Sequence, residues 1–355
     1  MPARTGLYWW ESFSADEVRR DWERAAQFGI AHFLIHLTWR DFQPDRQRLS
    51  VRALHDFETA LRIADDQCAR VMPVLFAAVV DGLNCLPSWA RAVAPGARAD
   101  QTHDLITRPA MRDAEDLLMR EIVGEFGRHP AVGGWVVGDR LAEAVTAATM
   151  GAQAEWLGEM AEAATRLGED QPLLNGVSAR ALVHASVPMD QFHALGIQAL
   201  VHADWSPTWA QEPERWVRVL TGVAGRLSRS PVIASVGRCT DGPGCTTPAG
   251  AADDAERSLE AIDVFGGGGS FAADLFDYVE DLRRLPPYVG DQGLRSRGLF
   301  SPDGSPKDAA RIWADWCRDR HSIRNVPPSF PDVDPDEWRR RPEPLMREVY
   351  EELER

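Results

Sequence analysis

The chain predicts an α/β fold, a single (β/α)8 TIM barrel with a short C-terminal tail. Two observations carry this. Eight short apolar runs recur along the sequence, mostly alternating with stretches of helical period. These runs are apolar throughout, as strands of a parallel sheet buried on both faces are, and the alternation favours a closed barrel over an open sheet. The length of 355 residues gives one large domain ample material for a core.

The first run is GLYWW, followed by SADEVRRDWERAAQFG, where Ser14 and Glu17 make a capping box and Gly29 ends the helix. AHFLIHLTW precedes a helix from about Val51 to Gln67, and ARVMPVLFAAV a helix from about Arg112 to Gly127. The fourth run, VGGWVVG, leads to a helix near Ala152 to Leu167. QPLLNG, IQALVHADW, SPVIASVG and GGGSFAADLF complete the eight, the fifth and sixth units being the least distinct. A helix near Pro306 to Arg320 closes the series. Residues 1–320 therefore read as the barrel and 321–355 as a proline-rich tail packing on it, with a short terminal helix in LMREVYEELER.

Composition narrows the partners. A formal net charge of −15 argues against nucleic acid or an anionic membrane as the main partner. No apolar run spans a bilayer, and MPARTGLYWWESFSADE lacks the layout of a signal peptide, so a cytoplasmic location is expected. Five cysteines, an odd number at irregular spacing, fit reduced thiols better than a disulfide framework, although Cys239 and Cys245 flank TDGPG and could meet across it. No metal-ligand spacing such as His-Glu-x-x-His occurs, and FGGGGS lacks the Lys-Ser/Thr of a phosphate loop, so neither a metal nor another cofactor is expected.

In such a barrel the site lies where strands end and βα loops begin. That rule selects Trp10, Glu11, Trp39, Asp41, Asp81, Trp89, Asp139, Arg140, Asn175, His202, Asp204, Trp205, Ser235, Arg238, Asp241, Asp274 and Asp277.

Several of these sit in segments with a common likeness. HLTWRDFQPDRQRLSVRALHDFETALRIAD has a strand-end tryptophan followed by a Phe-Gln-Pro turn, and RVMPVLFAAVVDGLNCLPSWA has a Pro-x-Trp loop. REIVGEFGRHPAVGGW joins a helix to a His-Pro-Ala turn and a Gly-Trp strand, and LPPYVGDQGLRSRGLFSPDGSPKDAARIWADW ends the barrel. In order and spacing these resemble the retaining glycoside hydrolases of clan A, the (β/α)8 barrels that include cellulases and β-mannanases of the family 5 type. The resemblance implies two catalytic carboxyl groups about 5–5.5 Å apart, an acid/base on the fourth strand and a nucleophile on the seventh.

Carried over residue by residue, both positions are substituted. The acid/base falls on Arg140, which cannot give up a proton near neutrality. The nucleophile falls on Ser235, which lacks the charge to stabilise an oxocarbenium-like centre and has no activating base identifiable beside it. The family's second-strand arginine falls near Leu34 and its eighth-strand tryptophan near Ala273, while His202 matches. Arg140 reads first as half of an internal ion pair with Asp139, and second as a group that binds an anionic ligand.

Trp9, Trp10, Trp39, Trp89, Trp205 and Trp209 read either as stacking platforms for sugar rings or as plugs of the barrel ends, with stacking favoured for Trp39, Trp89 and Trp205. The expectation is thus a glycosidase-like barrel without the standard catalytic pair, binding a carbohydrate or glycosylated small molecule. The ligand-binding set is Trp10, Glu11, Trp39, Trp89, Asp139, Arg140, Asn175, His202, Trp205 and Ser235. Two alternatives stay open. One is an active glycosidase or transglycosidase with relocated carboxylates, Asp139 with Asp241 or Asp274, Glu143 also being within reach. The other is a non-catalytic scaffold, with a protein partner contacted through WRRRPEPLMR.

Overall fold

The computed structural model describes residues 1–90, 109–144, 149–319 and 325–353. The boundary expected between barrel and tail, at 320 and 321, lies outside the described residues.

Seven of the eight apolar runs pair as one parallel sheet in chain order. Its strands are β1 (His32–Thr38), β2 (Arg70–Ala77), β3 (Trp135–Asp139), β4 (Leu173–Ser178), β5 (Ile197–His202), β6 (Val232–Val236) and β7 (Gly269–Ala272). Helices α1 (Ala15–Gln27), α2 (Val51–Asp66), α3 (Pro109–Phe126), α4 (Met150–Leu167), α5 (Pro213–Ser228), α6 (Pro248–Val264) and α7 (Asp308–Arg318) alternate with them. Helix α1 starts as expected, with the Ser14 hydroxyl accepting from the Glu17 backbone N–H at 3.4 Å. Helices α5 and α6 follow the sixth and seventh runs, where the sequence pattern assigned none.

The strands carry apolar side chains on both faces because the sheet feeds two cores. Val74, Val136, Leu174, Leu200 and Val232 point to the inside of the curled sheet, where Leu7, Tyr278 and Tyr288 join them. Their neighbours Leu75, Val137, Val201 and Ile233 pack outward among the helices. This is the layered packing that a sheet covered by helices requires.

The first run departs from expectation. Gly6–Tyr8 is a 3-10 turn, not a strand. Gly6 has φ +50°, and a Cβ there would lie 2.3 Å from the Tyr288 hydroxyl. The Leu7 N–H donates to that hydroxyl instead of to a strand. The sheet therefore keeps two edges, β1 and β7, and both border one cavity, so a seam stands where an eighth strand would close the circle. The Trp10 indole donates to the His36 carbonyl of edge strand β1 at 2.7 Å.

The C-terminal segment returns to the barrel wall. Trp338 is fully buried and donates to the Leu182 carbonyl, while the Tyr350 hydroxyl accepts from the Glu212 N–H. Among the described residues no helix is long and apolar enough to cross a membrane.

Candidate functional site

The C-terminal ends of β3, β5 and β6 bring Asp139, His202 and Ser235 together. Strand register sets this up, because His202 pairs with Ala234 on the neighbouring strand, one residue before Ser235. Ala234 already takes the inward position. A register shift between Ile233 and Val236, with Ser235 at φ +59°, turns the next side chain inward as well. Bulges of this kind re-aim side chains beside functional sites. Asp81 and Arg140 also hold left-handed backbone, at φ +48° and +52°. Three such residues around one cavity mark local strain that the surrounding fold sustains.

Asp139 is 1% exposed and accepts two hydrogen bonds. The His202 Nε2–H reaches Oδ1 at 2.8 Å and the His36 Nε2–H reaches Oδ2 at 3.0 Å. Burial alone would raise this carboxyl; His202, the bond from His36 and the Arg140 charge outweigh it and hold Asp139 well below the usual carboxylate range. The carboxylate has this room because residue 176 is glycine: a Cβ there would sit 1.8 Å from Oδ1.

On its other side, His202 Nδ1 lies 2.9 Å from both Arg140 Nη2 and Ser235 Oγ. Arginine only donates, so Nδ1 must carry the lone pair and the Nε2–H tautomer is set by its neighbours. Arg140 Nη1 bonds Asp204 at 2.9 Å. Burial would lower the guanidinium's proton affinity, but Asp204, then Asp139 and Asp81, raise it above the ordinary arginine value. Arg140 Nε is buried without a partner among the described residues.

A second buried cluster stands beside the first. Arg297 Nη2 is 2.9 Å from both Asp81 and Asp274, and Tyr278 donates to Asp274 at 2.5 Å. Burial pushes Asp274 up despite Arg297. Two cavities open on this region. One, of about 510 Å³, follows the seam from β1 to β7 and reaches Asp81, Asp139, Arg140, His202 and Asp274. The other, of about 460 Å³, is bordered by Asp204, Trp205 and Arg238. Ser235 borders both.

Neither a protein-family model nor a curated protein matches the chain in sequence. Solved structures match it in shape. A GH5_18 from Streptomyces cattleya in complex with GlcNAc superposes with a TM-score of 0.82 at 19% identity, covering 99% of this chain and 87% of that one. A GH5_18 variant from Bifidobacterium longum in complex with Manβ1-4GlcNAc gives 0.77 at 18%, covering 92% and 78%. The exo-β-1,4-mannosidase Op5Man5 from an Opitutaceae bacterium gives 0.71 at 17%, covering 90% and 58%.

The fold is that of the family 5 glycoside hydrolases.

Within this glycosidase-type barrel the expected site residues separate. Asp139, Arg140, His202 and Ser235 form the cluster, and Leu34 and Ala273 border its cavity. Asn175 lies buried beside it, its Oδ1 without a partner among the described residues. Trp205 borders the smaller cavity, with the Arg180 guanidinium 5.1 Å from its ring centre.

Other expectations need correction. Trp10 and Trp39 are core residues, Trp39 only 1% exposed and bonded to Gln43, so neither presents a face to a ligand. Trp89 packs edge-on against Trp39 and donates to the Gln43 carbonyl. Glu11 is exposed and paired with Arg40, and Glu143 is exposed on the turn after Arg140, away from both cavities. Asp241 is exposed in a loop that Cys239 and Cys245 close as a disulfide, the pairing that the sequence left open. Arg140 pairs with Asp204, not with Asp139.

The sequence reading missed His36 and the contact between His202 and Ser235. The signal for His36 was a lone histidine inside the apolar run AHFLIHLTW. For Ser235 it was a second strand-end polar residue, His202, on the adjacent strand.

Proposed function

We propose that this glycosidase-like barrel binds a carbohydrate or glycosylated ligand in its strand-end cleft and does not hydrolyse glycosides by the two-carboxylate route. One observation carries the reading. Arg140 and Ser235, on which the resemblance puts the two carboxyl groups, are engaged otherwise, Arg140 paired to Asp204 and Ser235 bonded to His202. A general acid must carry a proton near neutrality, and Asp139, held ionised by two histidines, is a poor one.

The relocated-carboxylate alternative has less support. Asp274 shares the cavity but is engaged by Arg297 and Tyr278, and Asp241 borders neither cavity. The scaffold alternative is weakened by two open cavities that neither Trp10 nor Trp39 fills. The ligands of the structural neighbours suggest the first sugars to try, GlcNAc and Manβ1-4GlcNAc. As for location, the Cys239–Cys245 bond fits an oxidising compartment better than the cytoplasm expected from the sequence.

The test is a screen of purified protein against aryl β-glycosides, soluble β-glucans and mannans, with thermal-shift binding of those sugars in parallel. Binding without turnover is the expected result. Glycoside turnover that disappears in Asp139→Asn would reverse the proposal.

A further inference from the structure

We propose that Ser235, His202 and Asp139 form a nucleophilic relay that cleaves acyl esters, with Arg140 as the donor to the oxyanion. The geometry has the three links such a relay needs. Ser235 Oγ lies 2.9 Å from His202 Nδ1, His202 Nε2 lies 2.8 Å from Asp139 Oδ1, and His36 holds the far carboxylate oxygen at 3.0 Å. The ring is used with its nitrogens exchanged relative to the familiar serine hydrolases, but the roles are recognised by geometry. Ser235 adds a second feature. It sits at a strand end on left-handed backbone, in a bulge that borders both cavities.

The chemistry closes without any further reagent. Oγ attacks the ester carbonyl carbon while its proton passes to Nδ1, and the C=O π pair moves onto oxygen. Collapse of that tetrahedral species breaks the C–O bond to the alcohol, which takes the proton from Nδ1 and leaves. Water then attacks the acyl-serine, giving its proton to Nδ1. Collapse now expels Oγ, which recovers that proton and releases the carboxylic acid. Arg140 Nη2 stands 3.4 Å from Oγ, beside the place where the oxyanion forms. In the resting site it also bonds Nδ1, so it must turn onto the substrate oxygen to free the lone pair. Its Nε, without a partner among the described residues, leaves a donor to spare.

The two cavities divide the substrate. Leu34, Met72 and Phe271 border the seam cavity and suit an acyl chain. Asp204, Trp205 and Arg238 border the other and suit a sugar ring, one face on the indole and hydroxyls on the charges. The substrate class is therefore an O-acylated carbohydrate or glycoside. The sugar half of this assignment rests on the carbohydrate reading above; the nucleophile does not.

The experiment uses the whole chain, a fluorophosphonate probe and p-nitrophenyl butyrate. The expected result is one phosphonylated residue, Ser235, together with p-nitrophenolate release. Both fall on the order of 100-fold or more in Ser235→Ala and in His202→Gln. Ser235→Cys guards against misfolded variants, because its thiol should alkylate with iodoacetamide faster than Cys68 does. Wild-type protein that neither labels nor turns over overturns the relay, as does activity undiminished in Ser235→Ala or a Ser235→Cys thiol no faster than Cys68. Acetylated and free sugars separate the two proposals. Ester cleavage without any sugar binding leaves the relay standing and removes the carbohydrate reading, whereas sugar binding with an inert Ser235 does the reverse.

Discussion

Asp139, itself almost fully buried, accepts hydrogen bonds from His36 and His202, and these donors reward its ionised form. Its folded-state pKa is lowered, so its contribution to stability is complete above the unfolded carboxylate value of about 3.8. That contribution is lost as the pH falls further, through the folded value. Asp139→Asn should lose about 2 kcal/mol at pH 7, in the range of hydrogen bonds to charged groups. The gap to wild type should narrow in unfolding curves taken below pH 4. A gap that stays constant to pH 2 would mean that the two histidines do not hold the carboxylate. Arg140 also shows why a residue's type does not settle its partner: adjacent to Asp139 in the chain, it reaches Asp204 instead.

At the scale of elements, β4 shapes the site without offering a reactive group. Gly176, inside that strand, leaves the space that Asp139 fills. Gly176→Ala should cost about 1–3 kcal/mol, as overpacking does. The added Cβ would meet both the Asp139 carboxylate and, at 2.9 Å, its Cα, so it should also weaken the Asp139–His202 contact. Denaturant unfolding, together with the imidazole N–H resonances of His202, checks both effects. Unchanged resonances with unchanged stability would show that the strand yields instead. The strands themselves were legible in the sequence, since a run such as VMPVLFA does not alternate apolar with polar residues and so needs two cores. GLYWW was apolar too, yet Gly6 turns left-handed against Tyr288 and the run becomes a 3-10 turn. Apolarity specifies burial, and burial alone does not choose between strand and turn.

Over the whole molecule, a sheet with two edges leaves a seam, and that seam contains the larger cavity. The loop after β6 is tied by Cys239–Cys245, six residues apart. Chain-entropy reasoning for so short a loop gives about 2 kcal/mol. Non-reduced protein unfolded in denaturant should therefore titrate only Cys68, Cys85 and Cys317, and the Cys239→Ser, Cys245→Ser double variant should be less stable by about that amount. Five titratable thiols with no change in stability would rule the bond out.

The sequence by itself determined the parallel α/β architecture and the strand ends that bear Asp139, Arg140, His202 and Ser235. Those follow from periodicity and from residue type, both local to the chain. Only the tertiary structure decided that Ser235 meets His202, that Arg140 belongs to Asp204, and that Trp10 and Trp39 are core. The physical reason is that these depend on side-chain direction across different strands. A bulge, a left-handed residue or a glycine set that direction, within fractions of an ångström that hydrophobic pattern does not encode.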